Sequence, residues 1–317
     1  KETLSYYRVP RWVEFDCIRD NTQNFWFASV AQGLFRLVAD TLPFMTALIP
    51  NSDFVESGDK QRICQDENGD LWLALSGGVF KIRNPDMSPE LKPEKIELPD
   101  NKGEPGRVMK DKEGNLWFGL SKGIIFKYKP SGKSFQRFGL PPASFPVNDN
   151  YITLMAEDSR RNIWFAVQNE GLFKLPRNAN KIVKVVTVKE LSESNADPYI
   201  LDFMIDSNDE LWLSTFDGLF RLDKSGKTIR NYTGFDGTGT TYGSLYARIV
   251  EDNNKNIWVL NSLAGPYLLD RDNDVFKKPE GMTVKSESGF SDLLPDGRNR
   301  LWIGANGRII TVDLPAM

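Results

Sequence analysis

Tryptophan recurs at Trp26, Trp72, Trp117, Trp164, Trp212, Trp258 and Trp302, at intervals of 46, 45, 47, 48, 46 and 44 residues. Six residues before each stands an aspartate: Asp20, Asp66, Asp111, Asp158, Asp206, Asp252 and Asp296. A repeat of this length makes each unit one supersecondary module that buries its faces by stacking on its neighbours. The unbroken repeat places all 317 residues in one domain, although length alone would allow two.

The third copy, Arg107 to Tyr128, shows how a unit is built. Short apolar runs alternate with period two and are separated by turn residues, the pattern of β-strands. Asp111 opens the first turn, where its carboxylate can accept backbone N–H bonds two residues on. Three residues after each aspartate the backbone is expected to be left-handed. Gly69 and Gly114 adopt that freely, Asp209 and Asn299 tolerate it, and Gln23, Arg161 and Lys255 are strained there. Tryptophan lies on the second strand. Two residues on come the mostly small Ala28, Ala74, Gly119, Ala166, Ser214, Leu260 and Gly304, expected to leave room for an indole of the adjacent sheet. The second turn ends at Gly33, Gly78, Gly123, Gly171, Gly218, Gly265 or Gly307, and two further strands follow.

Four antiparallel strands repeated seven times predict an all-β, seven-bladed β-propeller. The last copy has only three strands before Met317, and Thr3–Pro10 resembles the fourth strand Ser134–Pro141. The N-terminal strand is therefore expected to complete the last blade, closing the propeller and removing its sheet edges. On this reading residues 1–10 form the outer strand of the last blade. The blades span approximately 11–50, 57–100, 104–141, 150–189, 198–233, 244–280 and 288–317.

The unit Asp-x-x-Gly-x-Leu-Trp-x-Gly/Ala, followed by Gly-Leu-Phe-Arg/Lys-Leu, resembles the two-component regulator propeller repeat. Asp66–Ile82, Asp111–Tyr128, Asp158–Leu175 and Asp206–Leu222 match it best, and the likeness covers essentially the whole chain. It implies the extracytoplasmic, periplasmic sensor region of a bacterial signalling protein, with carbohydrate as a common ligand and with further signalling domains or a dimer partner outside this chain. Streptogramin-lyase-like propellers have similar repeats. Their chemistry depends on histidines with an acidic partner and magnesium, and this chain contains no histidine.

The missing histidine also removes Ser-His-Asp and Cys-His catalysis and any histidine-ligated metal. We therefore expect no enzymatic activity, no cofactor and no metal. The net charge of −3 and the lack of a basic stripe argue against nucleic acid as a partner. No apolar run is long enough to span a membrane. Cys17 and Cys64 sit at offsets that point to opposite faces of their strands, so two buried free thiols are expected rather than a disulfide.

Function is expected where the repeat breaks its own pattern. The spacing from tryptophan to turn glycine varies (7, 6, 6, 7, 6, 7 and 5 residues), and the connections Asn51–Lys60, Pro141–Tyr151, Glu190–Tyr199 and Thr233–Tyr246 are long. Arg62, Arg107, Tyr151, Tyr199, Tyr246 and Arg248 lie at inner-strand starts that point toward the channel. Gln168, Asn169, Thr215, Asp217 and Asn261 lie in second-turn loops, and Tyr242 lies in the glycine-rich connection. Tyrosine suits a sugar-like ligand through its apolar face and polar edge, and arginine can clamp an anionic group. The expected partner is thus a small polar ligand, including oligosaccharide, at this variable-loop face; a histidine-free streptogramin-lyase- or lactonase-like propeller enzyme and a protein-interaction scaffold are the alternatives.

Asp66-x-Asn68-x-Asp70 and Asp270-x-Asp272-x-Asp274 resemble the opening of a calcium loop but lack its glycine and its glutamate, so turn formation is the expected role. Glu157-Asp158 and Glu251-Asp252 are not expected to form acid–base pairs, because adjacent strand residues face opposite sides.

Overall fold

The structure, a computed structural model, describes residues 4–8, 15–22, 24–29, 33–37, 45–47, 62–75, 77–83, 92–100, 102–141, 151–168, 170–191, 200–215, 218–232, 248–279, 282, 289–296, 299–305 and 308–314. The described residues contain 28 strands, numbered in chain order from β1 (Leu4–Arg8) to β28 (Arg308–Asp313). They form seven four-stranded sheets, and every strand pair whose register is defined is antiparallel. The chain divides into two compact units, one of Glu14–Lys184 and one of Lys1–Val13 with Val185–Met317.

In the first unit, the first sheet holds β2 (Phe15–Arg19), β3 (Phe25–Ser29), β4 (Gly33–Leu37) and β5 (Met45–Ala47). The second holds β6 (Ile63–Gln65), β7 (Leu71–Leu75), β8 (Gly78–Ile82) and β9 (Pro93–Ile96). The third holds β10 (Pro105–Lys110), β11 (Leu116–Leu120), β12 (Ile124–Lys129) and β13 (Ser134–Gly139). The fourth holds β14 (Ile152–Glu157), β15 (Ile163–Val167), β16 (Gly171–Leu175) and β17 (Val183–Val186), the last two residues of which belong to the second unit.

In the second unit, the fifth sheet holds β18 (Ile200–Ile205), β19 (Leu211–Thr215), β20 (Gly218–Leu222) and β21 (Thr228–Tyr232). The sixth holds β22 (Arg248–Glu251), β23 (Ile257–Asn261), β24 (Gly265–Asp270) and β25 (Val275–Lys277). The seventh is β26 (Phe290–Pro295), β27 (Arg300–Ala305), β28 and β1. The N-terminal strand therefore completes the last sheet, pairing Leu4 with Val312 and Arg8 with Arg308. A single helical turn, α1 (Val188–Leu191), follows β17.

The core follows from strand alternation. Where successive sheets lie within one unit, the tryptophan of one faces the next, whose residues immediately before and after its own tryptophan face back. Trp26 packs with Leu71 and Leu73, Trp72 with Leu116 and Phe118, and Trp117 with Ile163 and Phe165. In the second unit Trp212 packs with Ile257 and Val259, and Trp258 with Leu301 and Ile303. Burying an indole of roughly 200 Å² at about 25 cal/mol/Å² contributes up to about 5 kcal/mol per repeat.

This corrects one expectation. At Gly119 the small residue two after the tryptophan does not make room for a neighbouring indole. A Cβ on Gly119 would stand 2.7 Å from Cγ2 of Ile152, so the residue admits the first strand of the next sheet. Cys17 and Cys64 are free as expected, but both are half-buried rather than buried.

Candidate functional site

The repeat aspartates form a closed hydrogen-bond system at one end of the sheets. In six turns one carboxylate oxygen accepts the N–H groups two and four residues on; for Asp111 these are Glu113 at 3.0 Å and Asn115 at 2.8 Å. For Asp296 the described bond is from Arg300 N–H, at 3.1 Å. In all seven repeats the other oxygen accepts the indole N–H of the tryptophan six residues on, at 2.7–3.0 Å. The turn thus satisfies a buried donor that would otherwise cost about 1–3 kcal/mol. The left-handed position three residues on is observed at Gly69, Gly114, Arg161, Asp209, Lys255 and Asn299. Gln23 lies outside the described residues.

Two further regularities escaped the sequence reading. On the third strand a cation lies opposite the tryptophan and over its ring: Arg36, Lys81, Lys127, Lys174 and Arg221, with 4.7–5.6 Å between the charge and the ring centroid. The Arg/Lys of the Gly-Leu-Phe-Arg/Lys-Leu run was the signal for it. The second regularity is a latch between successive turns. Gln65 accepts Asn21 N–H at 2.8 Å, Glu157 accepts Lys112 N–H at 2.6 Å, and Glu251 accepts both N–H and Oγ–H of Ser207 at 2.8 and 2.6 Å. Each acceptor immediately precedes a repeat aspartate, and strand alternation turns it outward to the preceding turn. This is the role of the glutamates in Glu157-Asp158 and Glu251-Asp252. Glu251→Ala is expected to lower stability by about 1 kcal/mol in chemical denaturation, and Glu251→Gln by about half of that, because the amide oxygen still accepts as Gln65 does. Equal losses for the two variants would refute the latch.

The calcium-like tracts are turns with their own cations. Lys81 Nζ lies 2.7 Å from Asp70 Oδ2 and 3.5 Å from Asp66 Oδ2. Lys277 Nζ lies 2.6 Å from Asp270 Oδ2, and its hydrogen bond, with those from Asn273, holds the Asp270 carboxyl well below the usual carboxylate range. Among the described residues no three metal-liganding side chains cluster.

The candidate ligand residues that the structure describes lie at the other, glycine-turn end. In the first unit the Arg62 carbonyl accepts Ala74 N–H at 2.8 Å. Arg107 is buried; its Nε donates to the Thr153 carbonyl and its Nη1 to the Gly106 carbonyl at 2.6 Å, so it clasps the next sheet's first strand. Tyr151 is 46% exposed, and its carbonyl accepts Gln168 N–H at 3.0 Å, which sets these two residues side by side.

In the second unit Thr215 and Asn261 are buried and close their own turns. Thr215 donates to the Gly218 carbonyl at 3.2 Å, and Asn261 Oδ1 accepts from the N–H groups of Leu263 and Ala264 at 3.0 and 2.9 Å. Arg248 lies between two buried carboxylates that the sequence reading did not single out. Its Nη1 is 3.2 Å from Asp202 and its Nε 3.0 Å from Asp292. Bulges after Ile200 and Phe290 set both aspartates opposite the residue two after a tryptophan, the position Arg248 occupies in the sixth sheet. The Arg248 charge is thus already matched within the fold. Asn169, Tyr199, Asp217, Tyr242 and Tyr246 lie outside the described residues, as do residues 51–60, 142–150, 192–199 and 233–247 of the long connections.

No protein-family model matches the chain. No curated protein matches it by sequence. Solved structures do match. The catalytically inactive histidine-to-alanine variant of virginiamycin B lyase from Staphylococcus aureus, solved with quinupristin, is 14% identical; the match covers 99% of this chain and 100% of that one, with a TM-score of 0.72. YCF48 bound to D1 peptide is 10% identical over 99% and 97% of the two chains, with a TM-score of 0.68. PorZ, a surface component of the type-IX secretion system of Porphyromonas gingivalis, is 17% identical over 97% of this chain and 47% of its own, with a TM-score of 0.70. Together with the seven four-stranded sheets, these likenesses make the fold a seven-bladed β-propeller. At these identities the likeness shows the fold alone.

Proposed function

We propose that this chain is a non-enzymatic recognition propeller, spanning residues 1–317, in the extracytoplasmic part of a bacterial sensor. It binds a small polar, carbohydrate-like ligand at the glycine-turn end of its sheets. The observation that carries this reading is the backbone pairing of Tyr151 with Gln168 at the opening of a first strand: Tyr151 is 46% exposed, Gln168 is half-buried, and the Tyr151 carbonyl accepts Gln168 N–H at 3.0 Å. An aromatic face with an adjacent amide suits the apolar and hydroxyl faces of a sugar. The aspartate-turn end, by contrast, spends its repeated polar groups on itself. Recognition is favoured over lyase chemistry because this chain has no histidine, while the lyase of the same fold is described as catalytically inactive when one histidine becomes alanine. No helix among the described residues is long and apolar enough to cross a membrane.

The test is a thermal-shift screen against neutral glycans, sugar acids and divalent salts. A bound ligand at 100 times its Kd stabilises by about 2.7 kcal/mol and raises Tm. Tyr151→Ala is expected to weaken the best glycan about tenfold or more. The reading fails if no glycan shifts Tm, or if the shift is unchanged in Tyr151→Ala together with Gln168→Ala.

A further inference from the structure

A cleft of about 200 Å³ opens between the third and fourth sheets at the aspartate-turn end, away from Tyr151. Its walls come from β12 and β13 on one side. On the other they come from the turn Pro176–Asn180, with Glu113, Glu157 and Arg161 at its rim. The 3-4 turn of the fourth sheet is anchored there by Arg177 N–H, which donates to Asn162 Oδ1 at 2.8 Å.

Its charges fall into two groups. Lys127 faces Asp111 at 3.8 Å, Arg161 pairs with Glu157 at 3.3 Å, and Arg177 pairs with Glu113 at 3.2 Å. Lys129 is exposed, and among the described residues no carboxylate pairs with it. The carboxamides of Gln136, Asn178 and Asn180 are exposed on the same cleft, and among the described residues none of the three makes a side-chain hydrogen bond. In a region where the polar groups of the repeat are engaged with one another, one ammonium and three carboxamides thus converge on one cavity without partners.

We propose that this cleft binds a monosaccharide-sized polyol carrying one carboxylate, a sugar acid. Its volume lies below the roughly 300 Å³ at which sites for larger ligands begin, which suits a molecule of that size. Carboxamides both donate and accept, as hydroxyl groups require, and Lys129 supplies the one uncompensated positive charge. A phosphate is disfavoured: both arginine forks are already turned to glutamates, and Glu113 and Glu157 would repel a dianion. The site is independent of the one proposed at Tyr151, so either can fail alone.

Titration calorimetry of the whole chain with glucuronate, glucose and glucose 6-phosphate tests the proposal. Glucuronate is expected to bind at least tenfold more tightly than either of the others. Lys129→Gln is expected to raise its Kd about tenfold, the equivalent of about 1.4 kcal/mol. Asn178→Gly, which keeps the left-handed turn (φ 65°), is expected to raise it severalfold. Tyr151→Ala is expected to leave it unchanged. Lys129 is exposed, so the unliganded variants should melt with the parent chain. No binding at millimolar glucuronate, equal or tighter binding of the phosphate, or indifference to Lys129→Gln overturns the proposal.

Discussion

Asp111→Ala is expected to destabilise the protein by about 4 kcal/mol. That is a large part of the 5–15 kcal/mol that holds a typical fold together. The Asp111 carboxylate is buried and accepts four kinds of donor: N–H of Glu113 at 3.0 Å, N–H of Asn115 at 2.8 Å, the Asn115 carboxamide at 2.9 Å and the Trp117 indole at 2.8 Å. Alanine leaves these mostly buried donors without their acceptor, and each buried orphan costs about 1–3 kcal/mol. Asp111→Asn keeps one acceptor oxygen and can serve the turn or the indole but not both, so about half of the loss is expected. Trp117→Phe removes the indole N–H and keeps an aromatic ring against Phe138 and Phe165. A double-mutant cycle with Asp111→Ala should therefore show coupling of about 1–2 kcal/mol in urea denaturation. Additive losses, or a loss below about 1 kcal/mol for Asp111→Ala, would mean that turn and tryptophan are held separately.

Deleting Lys1–Pro10 is expected to cost about 3 kcal/mol or more and to promote association. β1 pairs with β28 over five residues, from Leu4 opposite Val312 to Arg8 opposite Arg308. Without it, β28 becomes an open edge next to Ile309, Ile310 and Val312, which are almost fully buried in the intact chain. A net value of about 1 kcal/mol for each ladder hydrogen bond sets the scale. The expected signature is a lower Tm and a concentration-dependent oligomer, both reversed by adding a peptide of residues 1–10. A truncated chain that melts with the full one, and stays monomeric, would show that the N-terminal strand is dispensable.

How legible each feature was follows from its range along the chain. The turn of Asp111, the left-handed residue at Gly114 and the strand carrying Trp117 lie within seven residues of one another, so local geometry specifies them. Even β1 against β28 was legible, because a missing fourth strand at one end of a repeat and a spare one at the other admit one pairing. The bed of each tryptophan was misread at Gly119. Strand alternation says which face a residue takes, but not which atom of the next sheet meets it, and that atom belongs to Ile152, 33 positions away. Arg248 looked like a ligand clamp for the same reason: its partners, Asp202 and Asp292, stand 46 and 44 residues off, at positions shifted by bulges.

The sequence by itself determined the number of modules, their strand composition, the register of turn to tryptophan and the strand that completes the last sheet. All of these follow from short-range periodicity repeated seven times. Only the tertiary structure decided which polar side chains are already engaged. That depends on distances between residues one repeat apart, where a rotation of a strand or a single inserted residue changes the partner. It turned Arg107, Thr215, Arg248 and Asn261 inward to the fold, left Tyr151 beside Gln168 at one end, and gathered Lys129, Gln136, Asn178 and Asn180 around a cleft at the other.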